Sequence, residues 1–139
     1  GRPDMAYFKF SDLISKGKEI TIFNEGKMSR DMTFIKDVVQ GIIQAVKFKN
    51  FSEEIPYEIF NLGNDSPVET WDLINFIENF FGVKSKYNFK RNNTEVKKTW
   101  ADISKAKKHL NYNPKTQFEE GMKLFLEWYV EFIEKDTER

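Results

Sequence analysis

Apolar positions recur at helical spacing in five stretches of the chain, with short extended runs between them. The first stretch runs from Asp4, a suitable N-cap, through Met5, Phe8, Leu13 and Ile14 to Gly17, a residue type suited to the left-handed position after a helix end. A second helix is predicted after Asp37, where Val38, Val39, Ile42, Ala45 and Val46 fall on one side. Ser66-Pro67-Val68-Glu69 combines a capping box with proline at the first helical position, and predicts a third helix through Trp71, Ile74, Ile77, Phe80 and Phe81 that stops at Gly82. A short fourth helix is expected from Asp102 to Leu110. Thr116-Gln117-Phe118-Glu119 is a second capping box, and Phe118, Met122, Phe125, Leu126, Tyr129, Phe132 and Ile133 then form one apolar stripe. Strands are expected at Ile20 to Phe23, Met32 to Ile35 and Tyr57 to Leu62, with weaker ones at Tyr87 to Phe89 and Val96 to Trp100. Asn24-Glu25-Gly26 marks a turn, and residues 49 to 56 form a polar loop. The fold class is mixed α/β, with about five helices and several short strands.

Composition narrows the chemistry. The 139 residues suit one domain, and 40% apolar residues with 16% aromatics can fill a core that 32% charged residues coat. Cysteine is absent and His109 is the one histidine, which excludes thiolate zinc sites, cysteine nucleophiles and disulfides and leaves a Ser-His-acid triad a single candidate base. Carboxylates alone remain for a metal, and no metal site is predicted. The seven glycines stand at 1, 17, 26, 41, 63, 82 and 121, too far apart for a G-x-G-x-x-G turn or a P-loop. No apolar run reaches the ~18 residues of a membrane span, and no signal peptide is apparent. A reducing, cytoplasmic setting is expected, which fits the absence of cysteine. The chain opens at Gly1 with its first methionine at Met5, which leads to the expectation that it is a piece of a longer protein.

The net charge of zero conceals an uneven distribution. Residues 84 to 108 carry nine Lys/Arg against two Asp/Glu, whereas residues 1 to 83 carry nine against thirteen. Aromatic residues interleave with this basic segment, a pattern shared with single-stranded nucleic-acid binders, although no RNP or KH signature accompanies it. Only four of the 22 cations are arginines: Arg2, Arg30, Arg91 and Arg139. A guanidinium suits two-point binding of a carboxylate or phosphate, and equally a surface ion pair.

Arg30 lies in Met28-Ser29-Arg30-Asp31-Met32-Thr33-Phe34-Ile35-Lys36-Asp37, which resembles the R-D-F/Y-x-Y/F/H-I/V-x-D stretch of extended short-chain dehydrogenases/reductases acting on nucleotide sugars. Five further pieces agree in order. Gly1-Arg2-Pro3-Asp4-Met5-Ala6 resembles a signature of nucleoside-diphosphate-sugar 4-epimerases, UDP-glucuronate 4-epimerases in particular. Glu19 to Asn24 is similar to the strand before the arginine loop, Tyr57 to Asn64 to the Y-x-V/I/L-Y/F-N-I/L/V-G-N strand, Thr99-Trp100-Ala101-Asp102 to the T-x-A-D element, and Glu120-Gly121 through Trp128-Tyr129 to the closing helix.

The resemblance covers essentially the whole chain and implies the C-terminal, substrate-binding part of an NAD-dependent epimerase/dehydratase. In that family a separate Rossmann half binds NAD and a Y-x-x-x-K tyrosine assists transient oxidation at C4, with hydride return on the other face. Neither Y-x-x-x-K nor the glycine fingerprint occurs in these 139 residues, so neither catalytic residues nor an NAD site is predicted here. The resemblance implies a UDP-sugar ligand, UDP-glucuronate or UDP-galacturonate. Arg30 matches the diphosphate arginine, Thr21 and Phe23 match positions that meet uracil, and Arg2 is a candidate for the sugar carboxylate. Asn92, with Arg91 alongside, falls at a second phosphate contact, and Thr94-Glu95 replaces a Gly-Asp pair, with Glu95 in the carboxylate role. Phe23 could equally be a packed strand residue, and Arg2 an ion-pair partner of Asp4. The Tyr57 to Leu62 strand would join the sheet of the other half, which predicts self-association when that cover is missing. A non-catalytic dimerisation or binding module, and less readily a nucleic-acid binder through residues 84 to 108, are the alternatives.

Overall fold

The computed structural model describes residues 4–49, 57–94 and 96–137. Among the described residues, five α-helices and five short strands follow in the order α1 (Ala6–Ser15), β1 (Ile20–Phe23), β2 (Ser29–Asp31), α2 (Ile35–Val46), β3 (Pro67–Glu69), α3 (Thr70–Phe81), β4 (Tyr87–Lys90), β5 (Lys98–Thr99), α4 (Ser104–Leu110) and α5 (Phe118–Thr137). The mixed α/β class expected from the sequence is the observed one. A 3₁₀ turn at Asn24–Gly26 follows β1, as the turn signal there predicts.

The strands form two small sheets. β1 pairs in parallel with β4, Ile20 opposite Tyr87 and Phe23 opposite Lys90. β2 is the centre of the other sheet, antiparallel to β3 and parallel to β5, so that Arg30 lies opposite both Val68 and Thr99. β1 alternates as a half-buried strand must: Ile20 and Ile22 are fully buried while Thr21 and Phe23 are half-buried. Under β1, Phe10 and Ile14 of α1, Leu73, Ile74 and Ile77 of α3, and Met122 and Leu126 of α5 close one core. Each fully buried isoleucine or leucine there contributes about 1.5–3 kcal/mol. A second, smaller core gathers Ile103, Ala106, Leu110 and Tyr112, against which Ala45, Phe48, Phe60 and Leu62 pack.

Tertiary contacts overrode several local signals. Ser66-Pro67-Val68-Glu69 does not start a helix. Residues 67–69 are β3, paired with β2, and α3 begins at Thr70, whose N–H and hydroxyl both donate to the Met28 carbonyl. The α3 stop at Gly82 holds, with φ +66. Asp37 does not cap α2, which opens two residues earlier. Its carboxylate instead accepts the N–H groups of Lys115 and Thr116. Burial would raise the Asp37 carboxyl, but those bonds and the nearby Lys115 charge hold it below the usual carboxylate range. α1 follows Met5 rather than an Asp4 cap, and the expected strand at Met32–Ile35 is displaced to Ser29–Asp31.

Residues 57–62 form no strand among the described residues, because no neighbouring backbone is placed to pair with them. They keep an inward lean at Phe60 and Leu62, while Tyr57 and Ile59 remain largely exposed. The apolar side of α2 is likewise uncovered, with Ile35 63% and Val46 81% exposed and Val39, Ile42 and Ile43 close to half. No helix of the described residues is long and apolar enough to cross a membrane.

Candidate functional site

Two strand connections run side by side. β1 leads through the 24–28 turn into β2, and β4 leads through residues 91–97 into β5. Because β1 pairs with β4 and β2 with β5, both in parallel, the two connections begin and end together. Asn24 ties them at one end: its Nδ2 donates to the Asn92 carbonyl at 2.8 Å, and its Oδ1 accepts the Asn92 N–H at 2.9 Å. At the other end the Ser29 N–H donates to the Lys97 carbonyl at 2.8 Å. Thr21 and Phe23 thus lie on β1, Arg91 and Asn92 at the start of the connection beside it, and Arg30 on β2 at the far end of the 24–28 turn, in the centre of its own sheet.

The 24–28 turn is conformationally demanding. Asn24, Glu25 and Gly26 all have positive φ, at 49°, 58° and 73°, and each non-glycine there costs of order 1 kcal/mol. Offsetting bonds come from outside the turn. Trp71 Nε1 donates to the Glu25 carbonyl at 2.9 Å, and the indole lies so close to Gly26 that a Cβ there would stand 2.5 Å from Nε1. Gly26 is therefore required by both φ and space.

β4 is set by Glu78. Its side chain is fully buried and accepts Lys84 Nζ at 2.7 Å, the Ser85 N–H at 2.9 Å and the Tyr87 hydroxyl at 2.7 Å. Burial favours the neutral acid, but these three donors overcome it and hold the carboxyl at about 2. Burial and the Glu78 acceptor together push the Tyr87 hydroxyl up to about 12. Glu78 was not singled out by the sequence, where it reads as one more polar helix position.

The expected site residues separate as follows. Arg30 is half-buried, and its Nη1 donates to the Ser29 carbonyl at 2.9 Å. Thr21 and Phe23 lie on the half-buried positions of β1, opposite Asn88 and Lys90. Arg91 is exposed, and its charge helps hold the Glu25 carboxyl low, behind the larger effect of Lys27. Asn92 Oδ1 accepts both the N–H and the hydroxyl of Thr94, at 3.1 and 2.7 Å, so threonine at the glycine position is used to brace the loop. Arg2 and Glu95 lie outside the described residues.

The basic segment is not a continuous strip. Lys84 pairs with Glu78, Lys105 with Glu58 and Lys107 with Asp65, while Lys98 lies over the Trp100 ring. Among the described residues no three acidic or histidine side chains gather as a metal site would need. Nor do they contain a strand, glycine-rich turn and helix in succession. β1 passes into a 3₁₀ turn with one glycine.

Residues 8–125 match the family profile described as GDP-mannose 4,6 dehydratase. A protein of Methanocaldococcus jannaschii is 48% identical over 132 residues, 94% of this chain and 39% of that protein. UDP-glucuronate 4-epimerase 1 of Arabidopsis thaliana is 39% identical over 150 residues, 99% of this chain and 35% of the relative. The crystal structure of UDP-glucuronic acid 4-epimerase from Bacillus cereus, in complex with UDP-glucuronic acid and NAD, superposes with a TM-score of 0.82 at 31% identity, over 94% of this chain and 41% of that one. The chain thus spans about two fifths of the length of the proteins it matches.

Proposed function

Because the chain belongs to the GDP-mannose 4,6 dehydratase family of extended short-chain dehydrogenases/reductases, we propose that it is the nucleotide-sugar-binding C-terminal part of an NAD-dependent UDP-sugar 4-epimerase. The substrate class is UDP-glucuronate or a close relative such as UDP-galacturonate. The observation that supports this reading is the pairing of the two strand connections through Asn24 and Asn92, between the strand that carries Thr21 and Phe23 and the strand that carries Arg30.

The residue types suit the parts of the ligand. Arg30 takes diphosphate oxygens through its planar fork. The main chain of β1 meets the edge of uracil beside Thr21, and the Phe23 ring covers its face. Arg91 and the Asn92 amide supply a second contact to the nucleotide. Anchoring the nucleotide at a distance from the reacting carbon supplies binding energy while leaving the sugar free to turn. NAD and the proton-transferring tyrosine belong to a nucleotide-binding half outside this chain, so the chain alone neither binds NAD nor interconverts UDP-sugars. The uncovered side of α2 and residues 57–62 pack against that half in the longer protein, and promote self-association without it.

Calorimetric titration of the chain with UDP tests the reading. Saturable binding is expected, weakened at least tenfold in Arg30→Ala, since loss of a charge-assisted bond is worth about 1.5–3 kcal/mol. Unchanged binding by that variant removes Arg30 from the site. Turnover of UDP-glucuronate by the purified chain contradicts the division of labour.

A further inference from the structure

Asp31 follows Arg30 on β2, and its carboxylate gathers main-chain N–H groups from two segments distant in sequence. The Asn64 N–H lies 3.0 Å from Oδ1 and 3.2 Å from Oδ2, the Asp65 N–H 3.1 Å from Oδ2, and the Ala101 N–H 3.1 Å from Oδ2. The same turn is held from its other side by the buried Tyr112, whose hydroxyl donates to the Gly63 carbonyl at 2.9 Å. Burial, and then the Asp37 and Asp31 charges, push that hydroxyl up. The fit at the carboxylate is close. A Cβ on Gly63 would stand 2.6 Å from Asp31 Oδ2 and 2.5 Å from the Ala101 Cβ.

The clasped segments are those that carry the neighbours of Arg30. Residues 63–65 lead into β3, and Ala101 follows β5. Arg30 itself lies opposite Val68 of β3 and Thr99 of β5. At the end of the β2–β3 pair, Asp31 faces Pro67, which has no N–H to give to the ladder. The carboxylate replaces that missing main-chain bonding with side-chain bonds one residue beyond Arg30, to both flanking segments at once.

We infer that Asp31 is a positioning residue for Arg30: by clasping the 63–65 turn and Ala101 it fixes the two strands between which the Arg30 side chain stands, and so sets the direction of the guanidinium toward a diphosphate. The ligand class rests on the nucleotide-sugar reading above; the geometric coupling of Asp31 to Arg30 does not. Asn at position 31 keeps the shape and one acceptor oxygen but loses the charge and sets an amide donor against the Asn64 N–H at the Oδ1 position, which weakens the clasp.

The test compares Asp31→Asn with Asp37→Asn, which disrupts the clasp on Lys115 and Thr116 away from this sheet. Three readouts are taken: melting temperature, UDP affinity by calorimetry, and the NMR resonance of the Arg30 Nε–H without ligand. Both variants are expected to melt lower. Asp31→Asn alone shifts the Arg30 resonance and weakens UDP at least tenfold, and adds no further loss in an Arg30→Ala background. A merely structural role for Asp31 predicts that the two variants behave alike in all three readouts, and that result overturns the inference. If Asp31→Asn fails to fold, Gly63→Ala displaces the carboxylate without removing it and must move the Arg30 resonance in the same way; an unmoved resonance refutes the coupling. If the wild-type chain binds no UDP while the resonance still shifts, the nucleotide reading fails and the positioning role stands.

Discussion

Replacing Glu78 by glutamine removes the charge on which β4 depends, and the size of the effect follows from its surroundings. The carboxylate is fully buried, with three donors within 2.9 Å, and is held at about 2 instead of its ordinary 4.5. At about 1.4 kcal/mol per pKa unit, that depression corresponds to roughly 3 kcal/mol of stability carried by the ionised form. Because the folded value is depressed, this contribution is fully present above pH 4.5 and is lost as the pH falls toward 2. Glu78→Gln keeps the shape and some acceptor capacity, so about 2–3 kcal/mol of loss is expected at neutral pH. In a chain of this size that lowers the melting temperature by roughly 4–12 °C. Urea denaturation across pH 2 to 7 measures both the loss and its slope, with the two proteins converging as the pH approaches 2. Tyrosine absorbance provides an internal check. Tyr87, pushed to about 12 by burial and by Glu78, should titrate at lower pH in the variant. Equal stability of the two proteins at pH 7, with parallel pH profiles, would refute the reasoning.

Three further predictions follow from the same geometry. Gly26→Ala meets both a φ of +73° and the Trp71 indole, and should destabilise by about 2–3 kcal/mol in chemical denaturation; a wild-type midpoint would contradict this. Asn24→Ala unties the two connections, so hydrogen exchange at the Asn92 amide should accelerate at least tenfold while the α5 core amides are unchanged; equal protection of Asn92 would show the tie to be dispensable. Ile42→Lys with Val46→Glu places charge on the uncovered side of α2, and sedimentation at rising concentration should show less self-association than wild type with little change in melting temperature. A wild-type chain that stays monomeric throughout would remove the basis of that expectation.

The sequence was most legible where an element is defined by its own residues. The ends of α1 and α3 were marked by Gly17 and Gly82, and the extended run of β1 and the tight turn at Asn24–Gly26 were also readable. It was least legible where a partner distant in sequence decides the outcome. Ser66–Glu69 has the chemistry of a helix start, yet β2 recruits residues 67–69 as a strand. Tyr57–Leu62 has the composition of a strand and lacks a neighbour to pair with among the described residues. At the site, arginine scarcity and motif order pointed to Arg30. Glu78 carried no local signal, and the turn and motif signals at Asn24 and Asp31 did not disclose their bonding, because these roles consist of hydrogen bonds to residues 9, 68 and 70 positions away.

The most direct test of the central claim is an NMR titration of the ¹⁵N-labelled chain with UDP, followed amide by amide. Saturable shifts confined to residues 20–31 and 88–99, absent in Arg30→Ala, are the result expected of a nucleotide site on the paired strand connections. Absence of saturable shifts, or shifts centred on α2 and α4 that persist in Arg30→Ala, would contradict it.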